Sequence, residues 1–188
     1  MSAAAATIEA PLRRGSRRPL VLSLCALAAA ALLAVLLLAG GGRGTSDATP
    51  QATDSTQLRE LSATIGHPVF WAGAPAAGAE LELTRSAADA VYVRYLSGDA
   101  EPGDPRSQFT TVGTYPVPSA FAVLSRAADQ PTAITRDLPG GGIALLDTRR
   151  PQSVYLAWPG SAYEVEVFDP SPKRALDLVL DGAIAPVR

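Results

Sequence analysis

Two glutamates, Glu164 and Glu166, stand two residues apart in an alternating segment, a spacing that places both on one face of a β-strand. Paired carboxyl groups are what hydrolysis of a glycosidic bond requires, one as the acid and one as the base or nucleophile. The same spacing is typical of a solvent-facing strand, because Tyr163, Val165 and Val167 would then form the buried face. We therefore interpret the glutamates as solvent-facing and keep the acid–base pair as the alternative.

Nucleophilic catalysis has few side chains available. His67 is the only histidine in 188 residues, and it precedes a proline at a predicted helix-to-strand turn, with no Gly-x-Ser-x-Gly motif in the chain. We interpret it as a turn histidine rather than as the base of a Ser-His-Asp triad. The only cysteine, Cys25, lies in an apolar run far from it. Zinc or iron sites built on Cys and His are therefore not expected beyond that run.

The remaining motifs have simpler interpretations. Asp99, Glu101 and Asp104 are the densest carboxylates, but their spacing is not that of an EF-hand, so we predict a solvated loop rather than a calcium site. The glycines 140–142 lack a following Lys-Ser or Lys-Thr, which indicates a hairpin turn rather than a phosphate loop. We predict no catalytic, cofactor-binding or metal-binding residue.

Trp71 and Trp158 are the candidate binding residues. Each ends a predicted strand close to glycine or proline, where a large aromatic side chain can line a ligand groove. Packing in the core is the alternative, since most of the aromatic residues of a small domain must be buried.

The elements that must position these residues are short strands and three short helices. Apolar residues at helical spacing predict helices at 56–65, 118–128 and 172–181. Alternating segments predict strands at 68–71, 79–84, 90–96, 109–115, 132–138, 143–148, 153–158, 162–168 and 184–187. Hairpin-length connections favour a mainly antiparallel sheet, so the fold class is predicted as α+β, with the helices covering one face of the sheet.

The N-terminal residues predict where the protein is located in the cell. Residues 20–39 carry no charge and are long enough to cross a bilayer of about 30 Å, and Arg13, Arg14, Arg17 and Arg18 precede them. Arginines of this kind stay in the cytoplasm. We predict a short basic cytoplasmic tail (1–19), one transmembrane helix (20–39), a flexible linker (40–56) and an extracytoplasmic domain (57–188) in the cell membrane.

Two alternatives to the membrane anchor stay open. A cleaved signal peptide would release the domain as a secreted protein, but the apolar run is long for one and the segment 39–41 is a weak cleavage site. Lipid attachment at Cys25 is less favoured than an apolar cysteine within a spanning helix. Four of the 16 basic residues precede the span and 18 residues are acidic, so the exported part is mildly acidic and nucleic acid is not expected as a partner.

Four segments carry a resemblance to known proteins: HPVFWAG (67–73), VYVRYL (91–96), VYLAWPG (154–160) and DPSP (169–172). With them the chain resembles a family of single-pass envelope proteins of high-GC actinobacteria, and its Ala- and Arg-rich composition agrees. The resemblance covers the whole exported domain and implies a membrane-anchored protein. No activity is assigned to that family, so no functional residue carries over.

These observations favour an extracytoplasmic binding or assembly domain without catalytic activity or cofactor. Its partners would be the membrane that it spans and another envelope protein or a cell-wall component. The alternatives are a carboxylate-dependent cell-envelope hydrolase and a sensory domain coupled to a partner membrane protein. The cytoplasmic tail is too short to bury a core of its own, so a signal would need that second chain.

Overall fold

A computed structural model describes residues 49–188. The predicted cytoplasmic tail, the transmembrane helix and most of the linker lie outside the described residues. Within them are three α-helices: α1 (Ser55–Ile65), α2 (Ala120–Ala127) and α3 (Pro172–Leu180). The strands of the same part are β1 (Gln51–Thr53), β2 (Phe70–Trp71), β3 (Ala79–Arg85), β4 (Val91–Ser97), β5 (Thr111–Pro116), β6 (Ala133–Leu138), β7 (Gly142–Asp147), β8 (Ser153–Ala157), β9 (Tyr163–Phe168) and β10 (Ala185–Pro186).

Eight of these strands form one sheet in the order β1-β3-β4-β5-β9-β8-β7-β6, and β2 pairs with β10 separately. Each neighbouring pair is antiparallel. The prediction of a mainly antiparallel sheet with three helices, and of the α+β class, is therefore confirmed. Hairpin connections join β3 to β4, β6 to β7 and β8 to β9, as the turn residues between them predict.

The domain begins earlier than the sequence predicted. Strand β1 pairs with β3, so residues 51–56 belong to the domain and not to the predicted linker. Asp54 then caps helix α1, accepting hydrogen bonds from the backbone of Thr56 and Gln57, while Gln57 accepts one from the Asp54 backbone. This reciprocal arrangement satisfies donors that a helix N-terminus otherwise leaves free. Gly66 ends the helix at a φ of 71°, a left-handed conformation that suits glycine.

Helices α1 and α3 cover one face of the sheet, which we call the first face. Leu58 of α1 is fully buried against Leu81 and Val93. Ala175 and Val179 of α3 pack in a larger cluster on the other half of that face. The strand members of that cluster are Val112, Ala144, Val154, Leu156, Val165 and Val167.

Helix α2 lies on the opposite face, which we call the second face. Ala120 and Leu124 of α2 pack with Leu145 and Ala157, whose side chains point away from the first face. The prediction that the helices cover a single face is therefore wrong. Periodicity shows that a helix has an apolar stripe, but it does not show which side of the sheet the stripe covers.

The segment around β2 crosses over the first face. The Phe70 amide donates to the buried Thr114 hydroxyl of β5 at 3.1 Å. The Tyr95 hydroxyl accepts from the Ala72 amide at 2.6 Å and donates to the Gly73 carbonyl at 2.9 Å. These bonds fix the segment 67–73 against the central strands.

Candidate functional site

The two glutamates of β9 lie on the second face, and both are buried. Glu164 is 5% exposed and Glu166 is 4% exposed. In the sheet register Glu164 lies opposite Tyr115, and Glu166 lies between Gly113 and Tyr155. The prediction of a solvent-facing pair is therefore wrong, although the prediction that they share one face is confirmed.

Both oxygens of Glu166 accept hydrogen bonds from within the domain. The Tyr115 hydroxyl donates to Oε2 at 2.7 Å, and the Ser153 hydroxyl donates to Oε1 at 2.7 Å. Tyr115 reaches Glu166 because its ring lies over Gly113, where an added Cβ would stand 2.8 Å from the ring. Gly113 is thus required by a close approach rather than by its own backbone angles.

Glu164 has a different environment. Among residues 49–188 no donor reaches its carboxyl group, whereas Glu166 has two. Burial raises the pKa of Glu164 to about 7, and the negative charge of Glu166 adds to the increase. The two carboxyl groups are therefore held differently: Glu166 accepts from two hydroxyl donors, whereas burial of Glu164 favours its protonated form.

Three tyrosines complete this group, which we call the tyrosine–glutamate cluster: Tyr92, Tyr115, Ser153, Tyr155, Glu164 and Glu166. Tyr92 meets Tyr115 edge to face, with ring centroids 5.6 Å apart. Burial raises the pKa of Tyr92, Tyr115 and Tyr155, so all three hydroxyls keep their protons near neutral pH. The Tyr92 hydroxyl is buried and has no partner within the described part of the chain.

Tyr115→Phe is expected to lower the free energy of unfolding by about 1.5–3 kcal/mol, because a buried carboxylate loses one of its two donors. Tyr92→Phe is the matched control, since it removes a hydroxyl with no partner among the described residues and leaves the ring contact in place. It is expected to be neutral or slightly stabilising. Urea unfolding of the full-length chain at pH 7 measures both. Equal losses for the two variants would show that the bond from Tyr115 to Glu166 contributes nothing specific.

A second buried carboxylate anchors the loop between β4 and β5. Glu82, at 1% exposed, accepts from the Arg94 guanidinium at 2.8 Å and from the Gly103 amide at 2.6 Å. Arg94 also donates to the carbonyls of Asp104 and Arg106. The loop 98–110 is thereby tied to the second face. Glu82 is buried beneath this loop.

The acidic loop residues are engaged by a neighbouring arginine. Arg106 forms ion pairs with Asp104 at 2.5 Å and with Asp99 at 3.1 Å. Its hydrogen bonds lower the pKa of Asp104 to about 2. Phe109 is buried below two guanidinium groups. The Cζ atoms of Arg94 and Arg106 lie 5.2 and 5.6 Å from the centroid of the Phe109 ring. No group of three Asp, Glu, His or Cys side chains suited to hold a metal ion occurs within residues 49–188.

His67 contacts aromatic and backbone groups. Its Nδ1 lies 3.0 Å from the Pro68 carbonyl, and its ring stacks on Tyr163 with a centroid distance of 6.2 Å. Nε2 is buried without a partner in the described region. Among residues 49–188, this half-buried histidine is therefore not part of a Ser-His-Asp triad.

The two predicted groove residues lie in different clusters. Trp71 packs against the α1 side of the first face, and Trp158 packs against the α3 side. Trp158 stacks on Phe70 at 5.5 Å and donates from Nε1 to the Pro139 carbonyl at 3.0 Å. The Trp158 indole fits against Gly142 only because this residue has no side chain, since a Cβ there would stand 2.5 Å from Nε1 of Trp158. Both side chains are partly buried, and a ligand groove at either stays a prediction.

A shallow depression of about 370 Å³ lies at one end of β3 and β4 and includes neither tryptophan. Glu80, Leu96, Asp99 and Glu101 contribute to its lining. Its lining residues include acidic side chains, one of which (Asp99) pairs with Arg106, and within residues 49–188 no aromatic side chain lines it.

Sequence reasoning missed the partners of the glutamates, namely Gly113, Tyr115 and Ser153. One signal was present: a glycine in a strand two residues before a tyrosine, which places the missing side chain and the ring on the same face. Arg94, opposite Glu82 in the register, was equally missed, because a predicted hairpin does not by itself fix which residues of its two strands lie opposite each other.

Comparison with known proteins does not assign the chain to a class of protein. No family model, no curated protein and no solved structure matches it. Among residues 49–188, none of the helices has both the length and the apolar character needed to cross a bilayer.

Proposed function

We propose that this chain is a single-pass membrane protein whose exported domain binds another envelope protein through its sheet edge and has no catalytic activity. The observation that carries this proposal is strand β6, six residues long and paired on one side only within the described part of the chain. The opposite edge, β1, is only three residues long. A long edge with free backbone groups is the usual template for adding a strand from another chain.

The register shows which backbone groups of β6 point outward. The Thr148 amide donates to the Thr132 carbonyl. Since every second residue of an antiparallel strand bonds to the same neighbour, the backbone groups of Ile134 and Arg136 also point toward β7. Residues 133, 135 and 137 therefore direct their backbone groups away from the sheet. The Ala133 amide is already bonded to Gln130, which leaves the Thr135 and Asp137 amides for a partner strand.

Side chains give this edge both contact area and selectivity. Ile134 is 44% exposed, one of two large apolar side chains in the described residues that are so exposed. The Arg136 guanidinium donates to the Thr135 carbonyl at 2.7 Å, which blocks one acceptor until a partner displaces it. Charges on an edge strand oppose indiscriminate pairing. The edge thus suits a specific extended segment better than general aggregation.

The buried carboxylates support a role without catalysis. Glu166 and Glu82 each use both oxygens for hydrogen bonds inside the domain. A catalytic acid or base must reach its substrate directly or through one water, and these groups are at most 4% exposed. Their contacts stabilise the second face and the loop 98–110.

Thr135→Pro tests the proposal, because proline removes an outward amide and is tolerated on an edge strand at such a position. We expect the variant to fold like the wild type and to lose the crosslinked complex that the full-length chain forms in its native membranes. Thr135→Ala is the matched control, since it retains the amide and should retain the complex. An unchanged crosslinking pattern in Thr135→Pro would refute binding through β6.

A carboxylate-dependent hydrolase is the second candidate, and one observation favours it. Burial raises the pKa of Glu164 to about 7, and this residue stands only two positions from Glu166, about 7 Å along the strand. That separation is within the range of paired catalytic carboxyl groups. Release of sugar from purified cell wall by the full-length chain, lost in Glu164→Gln and in Glu166→Gln, would replace the binding proposal by this one.

A further inference from the structure

We propose that the strand added to β6 is β6 of a second copy of this chain, so that two exported domains join their sheets about a twofold axis at Ile134. This pairing rests on the proposed binding through β6 and names the partner at that edge. A twofold axis brings the same surface of two copies together, and for an edge strand this gives an antiparallel pair.

The outward backbone groups of β6 leave one donor and one acceptor for pairing around this axis. The Thr135 amide and the Ala133 carbonyl both point away from β7. The Ala133 amide, by contrast, already donates to the Gln130 carbonyl at 3.0 Å. The Thr135 carbonyl already accepts from the Arg136 guanidinium at 2.7 Å.

Placing Ile134 opposite Ile134 of the second copy matches these groups. In that register Ala133 lies opposite Thr135 of the other copy, on both sides of the axis. Such a pair of residues normally exchanges two hydrogen bonds. One of them forms here, from the Thr135 amide to the Ala133 carbonyl, and the groups of the other bond are those already satisfied within each chain. Every outward amide and carbonyl of these two residues then has a partner.

The neighbouring registers fit less well. With the axis at Thr135, each Thr135 amide would meet the Thr135 carbonyl of the other copy, which the Arg136 guanidinium occupies. With the axis at Arg136, two guanidinium groups would lie directly opposite each other, which is destabilising. With the axis at Ile134, the two arginines are four residues apart along the ladder, about 14 Å, which exceeds the screening length of about 8 Å at physiological salt.

The side chains add apolar contact at the same point. Ile134 is 44% exposed and lies opposite Leu146, which packs on the larger cluster of the first face. Because the backbone groups of Ile134 point toward β7, the two copies of this residue form a pair without mutual hydrogen bonds, with Cα atoms about 4.5 Å apart. Their side chains therefore meet, and the apolar first faces of the two domains continue across the axis.

Disulfide trapping in the full-length chain tests this register. Cys25 is the only native cysteine, so Cys25→Ser provides a background without a competing thiol. In that background Ile134→Cys should form a disulfide-linked dimer in native membranes under a mild oxidant, because a Cα separation of about 4.5 Å is within disulfide range. Thr135→Cys is the matched control and should stay monomeric, since its Cα atoms would be about 9 Å apart.

A second pair of variants connects the disulfide to the backbone bond. Thr135→Pro added to Ile134→Cys removes the donating amide and should abolish the trapped dimer. Thr135→Ala added to Ile134→Cys retains the amide and should retain the dimer.

Two results would overturn the pairing through Ile134: a dimer trapped as readily by Thr135→Cys, or a dimer that persists when Thr135→Pro is added. Absence of any trapped dimer, together with a Thr135→Pro-sensitive complex that contains a different protein, would reject the second copy and leave binding through β6 in place. Absence of both the dimer and such a complex would reject binding through β6 itself.

Discussion

Arg94→Met is expected to lower the free energy of unfolding by about 3–5 kcal/mol, because it leaves the Glu82 carboxylate buried without its charged partner. Glu82 is 1% exposed and Arg94 is 19% exposed at the side chain. The loss extends beyond the pair, since Arg94 also donates to two carbonyls of the loop 98–110 and lies over Phe109. Urea unfolding of the full-length chain at pH 7 measures the change.

Two controls make this expectation specific. Arg85→Met breaks an exposed ion pair with Asp89, whose side chains are 44% and 54% exposed, and should cost no more than about 1 kcal/mol. The double variant Glu82→Met with Arg94→Met removes both charges and should recover much of the loss of the single variant. If Arg94→Met cost no more than Arg85→Met, the ion pair would not stabilise the second face.

The stability of the domain should fall as the pH rises from about 4.5 to about 7, by about 3 kcal/mol from Glu164 alone. The pKa of this group is raised on folding, so between these two values the unfolded chain has released a proton that the folded chain retains. Unfolding therefore becomes more favourable with every increase in pH across that window. Above about 7 the contribution is constant.

Asp104 and Asp147 affect the free energy of unfolding in a different pH range. Hydrogen bonds from Arg106 and Arg149 lower the pKa of these two carboxyl groups to about 2, so they contribute stability that is lost as the pH falls through the acid range. Both ion pairs are exposed to solvent on the arginine side, and their contribution is correspondingly small. The contribution of Glu164 is thus lost toward neutral pH, and those of Asp104 and Asp147 are lost toward acid pH.

The variant Glu164→Gln isolates the larger effect. Its free energy of unfolding should vary little between pH 5 and pH 8, and it should exceed that of the wild type at pH 8. Glu80→Gln, an exposed position on β3, is the matched control and should retain the wild-type pH dependence. Parallel pH profiles for Glu164→Gln and the wild type would show that Glu164 is not the group responsible.

Local signals in the sequence were sufficient to predict most of the helices and strands. The alternation in β3 and β9, the Gly- and Pro-containing turns and the apolar spacing of α1 and α3 each act within about ten residues, and the structure confirms strands and helices there. Strand β1 was missed, because its three residues become a strand only through pairing with β3, thirty residues later. The tryptophans show the same limit: Trp71 and Trp158 were placed near strand ends, but their clusters depend on distant segments.

By itself, the sequence determined that Glu164 and Glu166 share one face of a strand, because side chains in a strand alternate with a period of two. It did not determine whether that face meets water. Only the tertiary structure decided this, by packing α2 and the loop 98–110 on the second face and placing Tyr115 over Gly113. Burial is a property of what covers a surface, and the covering elements come from distant parts of the chain. The same carboxyl groups, predicted to face solvent, are therefore a buried pair in two different environments.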